Sequence, residues 1–422
     1  MGALGPEQIG PPKAATYRPR KVLVVITEDW FALSHFVPLL TEVAALAGEV
    51  VVATRPSGRL HEIASLGVRT RAFDMQRGVL QISALRHVRD GLASIIDDER
   101  PDVVHAISMQ AMVMTSLALS KAGHRPATVI LHVTGLGYLG SSRSPVAHVL
   151  RPFALAALRR CTSTCNAWLV AENDDDVSRM VADRVAVPWR TAVVPGAGVD
   201  PARFPELDPP RNAIPRAAFV GRMLWSKGAE TLVKAYRQVR SAGVALDLAL
   251  YGSADPHTRQ AIPIGTLQSW GKEPGITWHG RTEDVVGVWR VADIAVTPTL
   301  GGEGMPRAML EAGACGRPLI VTDVAGCRQF VRHGVEGFVV APGEPEALAR
   351  ELARLAGDPQ LRARMGAAAR QRVLQDYSEL AVRTKFREIY RDACGPARPP
   401  STVSGRGAAR PLRLGMKVST KA

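Results

Sequence analysis

A glycine-rich loop that opens a predicted helix is the most chemically suggestive stretch of the chain, TLGGEGMPRAMLEAGACGRPLIVTD at residues 299–323. Gly301, Gly302 and Gly304 leave backbone N–H groups accessible, so the loop can hold an anion in a nest. Pro306 suits the first turn of the helix that follows. The loop is therefore a candidate anion-binding element.

Two glutamates accompany this loop, with seven residues between them. Glu311, on the predicted helix, can accept two hydrogen bonds from a ribose diol. Glu303, in the loop, can hold sugar hydroxyls or stabilise developing positive charge. The pair indicates a nucleotide site, while a capped helix with a loop carboxylate remains the structural alternative because acids are favoured near helix N-termini.

A second candidate lies at residues 220–228, VGRMLWSKG. Gly221 permits a tight turn after a predicted strand, and Arg222 and Lys227 then stand at the start of a helix. Helix N-termini favour anions, and two added cations suit a diphosphate. Surface cations at a helix start would give the same pattern.

Two series of short apolar runs alternate with helix-period stretches, which predicts parallel sheets covered by helices on both faces. The first series has predicted strands at 21–27, 49–54, 68–73, 103–106, 128–132, 167–170 and 191–194. The second has predicted strands at 216–220, 246–251, 275–278, 293–297, 318–322 and 337–340. We therefore predict an α/β fold of two doubly wound, Rossmann-like domains.

Proline-rich residues 200–215 separate the two series and predict an interdomain linker. The predicted domains are 21–199 and 216–375, with a C-terminal helix at 376–395 completing the first. Residues 1–20 and 396–422 are predicted to be disordered. Ligands of doubly wound folds bind beyond the carboxyl ends of the strands, so we expect a cleft between the domains.

A formal net charge of +14 implies an anionic partner such as nucleic acid, a membrane face or a phosphorylated ligand. Six cations and no acid lie in the tail 396–422, which is either a headgroup-binding segment or a solvated extension. No RNA-binding motif accompanies the charge, and only 5% of residues are aromatic, so no nucleic acid is expected.

The five cysteines are scattered and form no CxxC pair, so neither a disulfide framework nor a zinc site is indicated. This pattern fits a reducing cytosol. No stretch resembles a signal peptide or a membrane span. We therefore predict a cytoplasmic protein that can associate peripherally with the inner face of the membrane.

One predicted helix, from Val146 to Arg160, combines an apolar stripe with basic residues (VAHVLRPFALAALRR). Such a helix can lie on an anionic membrane. Alternatively, its apolar side packs on the core sheet. The first possibility suits an acceptor that is linked to lipid.

These motifs resemble those of the family-4 retaining glycosyltransferases, which have the GT-B fold. Glu303 and Glu311 look like the family's paired glutamates, and residues 221–228 resemble its GR…KG segment. Residues 198–204 (GVDPARF) and 323–328 (DVAGCR) look like its GVD…F segment and the continuation after the glutamates. The first half, with VTGLGY at 133–138, is similar to bacterial members that build surface polysaccharides on lipid carriers.

The resemblance implies a role for each matched residue. Arg222 and Lys227, after Gly221, would neutralise the diphosphate that leaves the donor. Glu303 would contact the donor sugar and Glu311 the ribose. The remaining predicted donor contacts are backbone groups at Gly304, Met305 and Pro306, and Arg281 beside the base.

The resemblance also implies the reaction. A hexose or N-acetylhexosamine would pass from a nucleotide diphosphate, with UDP favoured and GDP open, to a saccharide or polyprenyl-diphosphate-linked acceptor, with retention of configuration. No cofactor and no metal ion are expected, because cations and helix dipoles would carry the charge. Asp174–Asp176 is more simply a set of acids at a helix N-terminus.

The roles of three side chains in the first half of the chain have alternative interpretations. Many family members place a histidine beside the donor sugar, and His132 is the predicted catalytic residue of this kind. The segment can also be aligned so that Thr134 takes that place. His35, in the first connection after a strand, either lines the acceptor side or lies on a helix surface.

Two other functions compete with sugar transfer. A nucleotide-sugar 2-epimerase shares the general fold, but that class lacks this arrangement of motifs. A non-catalytic protein that binds an anionic ligand or nucleic acid would explain the charge alone.

Overall fold

The computed structural model of the protein describes residues 18–75, 81–135, 145–254 and 260–395. The N-terminal segment 1–17, the tail 396–422 and the second half of the VTGLGY segment, residues 136–138, lie outside these described residues. Two parallel sheets, each flanked by helices, make up the fold.

The first sheet has seven parallel strands in the order β3-β2-β1-β4-β5-β6-β7. Its strand β1 is buried along almost its whole length, which explains its continuous run of Val, Leu and Ile. The strands are β1 Lys21–Glu28, β2 Glu49–Arg55, β3 Arg69–Ala72, β4 Val103–Ile107, β5 Thr128–Val133, β6 Ala167–Ala171 and β7 Thr191–Val193.

The second sheet has six parallel strands in the order β10-β9-β8-β11-β12-β13. The strands are β8 Arg216–Val220, β9 Asp247–Tyr251, β10 Ile276–Gly280, β11 Ile294–Thr297, β12 Leu319–Thr322 and β13 Gly337–Val340. Every predicted strand is present in both sheets, with ends within two residues of those predicted. The doubly wound α/β architecture is confirmed.

Helices cover both faces of each sheet. Those that precede residue 200 are α1 Asp29–His35, α2 Val37–Leu46, α3 Leu60–Ala64, α4 Ile82–Glu99, α5 Met109–Leu119, α6 Pro145–Thr164 and α7 Asp174–Ala182. Those that follow are α8 Ala229–Ser241, α9 Ile264–Trp270, α10 Val285–Val291, α11 Arg307–Ala314, α12 Ala325–Phe330, α13 Pro345–Gly357, α14 Pro359–Arg372 and α15 Glu379–Cys394. Residues 200–215 connect the two series without a helix or strand.

The last helix, α15, returns to the first sheet. Phe386, Ile389 and Tyr390 are buried in the same apolar cluster as β1 and α2. Arg387 also donates a hydrogen bond of 2.7 Å to Glu42 of α2. A short π-helical segment, Val373–Tyr377, separates α14 from α15. The end of the chain therefore contributes to the core of the first domain.

Helix α6 buries one side and exposes the other. Leu158 is fully buried, while Val149 and Phe153 are 62% and 70% exposed. The helix thus packs one side on the core, as the second interpretation predicted, and presents apolar side chains outward. Contact of α6 with a membrane stays a prediction. Within the described ranges, no helix combines the length and apolar character needed to span a bilayer.

Candidate functional site

A cleft of about 1330 Å³ lies between the two domains, where the carboxyl ends of both sheets face each other. Thr27 and Ser108 lie at the ends of strands of the first sheet, and Thr297 ends a strand of the second; all three line the cleft. The predicted site residues that line it are Gly221, Arg222, Lys227, Glu303, Met305 and Pro306.

The cationic side of the cleft is built by the turn after β8. Arg222 comes two residues after the strand, and Lys227 ends a short 3-10 turn, Trp225–Lys227. The next residue, Gly228, has a φ of +75°, and a Cβ there would lie 1.9 Å from the Pro298 carbonyl oxygen. Glycine is required at this position because the turn passes so close to the end of β11.

Glu303 faces this turn from the glycine-rich loop. Its Oε1 lies 2.5 Å from the Lys227 ammonium and accepts a 2.7 Å hydrogen bond from the Thr299 hydroxyl. Both charged side chains are about one-fifth exposed, with 22% for Lys227 and 19% for Glu303. A cation and a carboxylate are thus poised together at the edge of the cleft.

The glycine-rich loop also contacts the first domain. The Met305 N–H, which was predicted to hold the donor, donates a 2.7 Å hydrogen bond to Oε2 of Glu172, which follows β6. Glu172 is buried, and this burial raises the pKa of its carboxyl group to about 8. Glu172 was not among the residues predicted from the sequence; the signal for it was an acid directly after a buried strand at the ligand-binding edge.

Glu311 lies on α11, where only 7% of its surface is exposed. Its Oε1 accepts a 2.7 Å hydrogen bond from Arg307, which lines the cleft, and burial raises the pKa of its carboxyl group. Glu311 itself is not among the described residues that line the cleft. It stands behind Arg307.

Arg281 lies apart from the other predicted donor contacts. Its side chain is 77% exposed and lies 3.6 Å from Glu283. Among the described residues, Arg281 is not one of those that line the cleft. Nearby, the His279 ring stacks on Tyr251, with 4.4 Å between ring centroids and 7° between ring planes.

His132 is turned into the core of the first domain rather than toward the cleft. Its ring lies 5.5 Å from Phe36 and 5.8 Å from Phe386, and its Nδ1 is 3.3 Å from His105 Nε2. Burial lowers its pKa to about 3, so the ring is neutral near pH 7. The structure gives no support for a catalytic contact by His132, because β5 directs this side chain toward Phe36, between α1 and α2, and toward Phe386 of α15.

Thr134, the alternative to His132, lies just beyond the end of β5 and lines the cleft together with Gly135. A Cβ on Gly135 would lie 2.5 Å from the Gly304 nitrogen, so this turn touches the glycine-rich loop. His35 also lines the cleft, with its Nδ1 2.7 Å from the Ser34 hydroxyl.

An apolar wall faces the charged turn across the cleft. It is formed in the first domain by α5 and α6, with contributions from α1 and α4. Its side chains are Trp30, Phe31, Leu85, Met109, Val113, Leu117, Leu150 and Phe153. The apolar stripe of α6 was predicted from the sequence. That it forms one surface with α5 was not predicted, because this contact depends on how the helices pack in the folded protein.

No cluster of three or more His, Cys, Asp or Glu side chains with metal-binding geometry occurs in the part of the chain that the structure describes. The cysteines that the structure describes are all free thiols.

Two family models match the chain in succession. The model described as "Glycosyl transferase 4-like domain" matches residues 34–197, and the model described as "Glycosyl transferases group 1" matches residues 214–358. The match to the second includes the turn after β8, the glycine-rich loop and both glutamates. Together the two models cover most of both domains, and the gap between the matches falls on the interdomain segment.

Curated relatives align along most of the chain. The capsular polysaccharide biosynthesis glycosyltransferase CapM of Staphylococcus aureus is 20% identical over 84% of this chain and 96% of its own length. An Escherichia coli UDP-Gal:alpha-D-GlcNAc-diphosphoundecaprenol alpha-1,3-galactosyltransferase is 22% identical over 76% of this chain and 84% of its own. These relatives are transferases, which favours sugar transfer over the epimerase alternative.

Solved structures share the fold. A Rickettsia africae glycosyltransferase superposes with a TM-score of 0.69 at 16% identity, over 89% of this chain and 99% of that one. Anabaena HepE, solved in complex with UDP-glucose, gives 0.66 at 18% identity, over 87% of this chain and 98% of that one. Two facing sheets with the cleft between them, and the successive family matches on either side of it, place the chain in the family-4-like, group 1 glycosyltransferases of the GT-B fold.

Proposed function

We propose that this glycosyltransferase transfers a hexose or N-acetylhexosamine from a UDP-sugar to a lipid-linked saccharide, with retention of configuration and without a metal ion. One observation carries the proposal: the cleft sets the charged group of Arg222, Lys227 and Glu303 opposite an apolar wall. The first side suits a nucleotide diphosphate and the second a hydrocarbon chain.

On the charged side, Arg222 and Lys227 would neutralise the diphosphate as its bond to the sugar breaks. Fixed cations in a partly enclosed cleft stabilise developing negative charge without reorganising. Glu303, held by Lys227 and Thr299, would stabilise the positive charge that develops on the sugar ring. Two protein cations at the leaving group support a reaction that needs no divalent ion.

The nucleoside would extend from this point over α11. Glu311 remains the proposed ribose ligand, reached past Arg307 at the cleft edge. The stacked pair of His279 and Tyr251 marks the carboxyl end of the neighbouring strands, where we place the base. Arg281, whose side chain is 77% exposed, stays a predicted contact to the base.

On the other side, the apolar wall supports an acceptor that carries a lipid. The relative from Escherichia coli acts, by its name, on a diphosphoundecaprenol-linked sugar. The exposed residues Val149 and Phe153 of α6 continue the wall outward. We propose that this face, aided by the basic tail 396–422, meets an anionic membrane surface on the cytoplasmic side.

Donor choice and metal independence are tested together by thermal unfolding with UDP, GDP, ADP and their sugar conjugates, in EDTA. A ligand that binds only the folded state raises the melting temperature. We expect UDP and one UDP-sugar to raise it selectively. If only a divalent ion restores the shift, metal independence fails; if no nucleotide shifts it with or without the ion, the donor assignment fails.

Retention is tested on the product. With the stabilising donor and a soluble glycoside acceptor, the one-bond C–H coupling at the new anomeric carbon should report the same configuration as the donor. An inverted product would contradict the proposed retention of configuration.

The lipid assignment is tested with Phe153→Ser, because this side chain is exposed and its replacement leaves the core intact. We expect turnover of a polyprenyl-diphosphate-linked acceptor to fall about tenfold, a loss typical of one buried aromatic contact, while a short water-soluble acceptor is unaffected. Trp189→Ser is the matched control, since Trp189 is 65% exposed and lies outside the cleft lining. Equal loss on both acceptors would contradict a lipid-binding wall.

A further inference from the structure

Glu172 of the first domain contacts the glycine-rich loop of the second domain, yet the proposed reaction assigns it no role. It follows β6 and is only 5% exposed. Its Oε2 accepts the Met305 N–H at 2.7 Å. Met305 lies two residues after Glu303 in the glycine-rich loop. The hydrogen bond to Glu172 therefore fixes the backbone next to Glu303, whose carboxylate faces Lys227.

Close backbone packing surrounds this contact. A Cβ on Gly304 would lie 2.0 Å from Glu172 Oε2, and a Cβ on Gly326 would lie 1.5 Å from the Gly304 oxygen. On the other side, Gly135 approaches the Gly304 nitrogen. The loop is thus held between the first domain and α12, and glycines at three positions permit the approach.

A second contact joins the domains next to this one. Arg328 of α12 lies 3.0 Å from Asp175 of α7, and Gln329 donates a 3.0 Å hydrogen bond to Asp174. The two side chains of the ion pair are about half exposed, so the pair contributes little to stability. The buried bond from Met305 to Glu172 is therefore the stronger determinant of the loop position.

We propose that Glu172 is a positioning residue: its carboxyl oxygen fixes the Met305 N–H and thereby holds Glu303 in place whenever the two domains are closed. The inference rests on the proposed function only for its kinetic readout. Glu172 is not among the described residues that line the cleft, so it acts through the loop and not by touching the donor.

The chemistry required of Glu172 is that of a hydrogen-bond acceptor of the right length. Burial raises the pKa of its carboxyl group to about 8, and Asp176 and Glu303 nearby add to this effect. A neutral acid still accepts through its carbonyl oxygen. Glutamine offers an equivalent oxygen at the same reach, whereas aspartate is one carbon shorter and alanine has no acceptor.

The test compares the variants Glu172→Gln, Glu172→Asp and Glu172→Ala. Amide hydrogen exchange takes place in the intact protein and is then measured in the peptide fragment that spans residues 300–308. Met305 contributes its amide to this peptide, so the contact is measured without turnover. We expect faster exchange in the Asp and Ala variants and wild-type exchange in the Gln variant. Asp175→Asn, which weakens only the exposed contact, is the matched control and should exchange like wild type.

Kinetics then separate positioning from mere stability. With the donor that passes the thermal test, we expect kcat to fall about tenfold or more in the Asp and Ala variants, the loss of one buried hydrogen bond. The donor KM should change much less, and the Gln variant should recover kcat. If the Ala variant does not fold, the Asp and Gln pair provides the same comparison.

Wild-type exchange and kcat in the Asp and Ala variants would overturn the proposal. So would a Gln variant that is folded and as slow as the Asp variant, since an ionised carboxylate would then be needed. If the wild-type protein transfers no sugar at all, the proposed function fails, while the exchange measurement still decides whether Glu172 holds the loop.

Discussion

At the scale of single residues, Lys227 and Glu303 show how the candidate site is assembled. They belong to two different connections of the second domain, and the parallel order of β8 and β11 brings these connections side by side. Their 2.5 Å contact makes each the other's counter-charge before any ligand binds. A bound donor diphosphate and Glu303 would both interact with the Lys227 ammonium. Lys227 would thus link the leaving diphosphate to Glu303, the carboxylate proposed to face the sugar.

Replacement of Lys227 by alanine is therefore expected to act mainly on the chemical step. We predict a fall in kcat of about 100-fold or more, the usual cost of removing one preorganised group that stabilises transition-state charge. Steady-state kinetics with the UDP-sugar measure it. Lys234→Ala is the control, because Lys234 pairs with Glu230 on the exposed surface of α8; similar losses in both variants would argue against a site at Lys227.

The Glu172 carboxyl makes a prediction for stability against pH. Its pKa is raised from 4.5 to about 8, so the folded protein keeps a proton that the unfolded chain releases. Wild-type stability should then fall as pH rises between these values. Glutamine at position 172 has no proton to lose. The free energy of unfolding of Glu172→Gln should therefore exceed that of wild type by an amount on the order of a few kcal/mol near the raised pKa, and the difference should vanish near pH 4.5. Urea unfolding across this pH range measures this, and a pH-independent difference would contradict the raised pKa.

At the scale of elements, the turn from β8 into α8 determines where the cations lie. Gly228 is held at a positive φ and passes against the carbonyl of Pro298. The turn therefore depends on the neighbouring strand as much as on its own sequence. Gly243, just after the end of α8, has a similar φ of +79°, but a Cβ placed there would have no heavy atom within 4 Å.

The two glycines separate backbone strain from steric contact. Gly243→Ala should cost about 1 kcal/mol of unfolding free energy, from the positive φ alone. Gly228→Ala should cost distinctly more, because the chain has to move away from Pro298, and it should also displace Lys227 and lower turnover. Equal unfolding free energies for the two variants would mean that the turn relaxes freely.

At the scale of the whole molecule, the part of the chain that the structure describes crosses between the domains twice, through residues 200–215 and again before α15. Phe386 of α15 packs beside His105 and His132 in the first domain, although it follows the whole second domain in sequence. The core of the first domain therefore depends on a helix that follows the second domain in the sequence.

Phe386→Ala should loosen the first domain selectively. A buried phenylalanine replaced by alanine costs about 3–5 kcal/mol, so amide exchange should rise in β1 and β5 while the second sheet stays protected. Phe338→Ala, in the core of the second domain, is the matched control and should produce the opposite pattern. Uniform loosening by both variants would show that the domains unfold as one unit.

Much of this protein followed from the sequence because the signals are local. Strands buried on both faces read as continuous apolar runs, so both sheets were predicted within a residue or two of their observed ends. The glycine-rich loop and Lys227 were predicted to be anion-binding elements because phosphate-binding turns need particular residues at short spacing. Lys227 and Glu303 both line the cleft. The same residues carried the family resemblance.

The remaining features could not be predicted from the sequence, because they depend on contacts between distant segments. His132 and Thr134 are two residues apart, yet packing of Phe36 and of Phe386 on α15 buries the first, while the chain turn after β5 brings the second to the cleft. The apolar wall needs α5 and α6 together, and Glu172 meets Met305 across 133 residues of sequence. Local spacing carries no record of such pairs, because their members are far apart in the sequence and meet only in the folded protein.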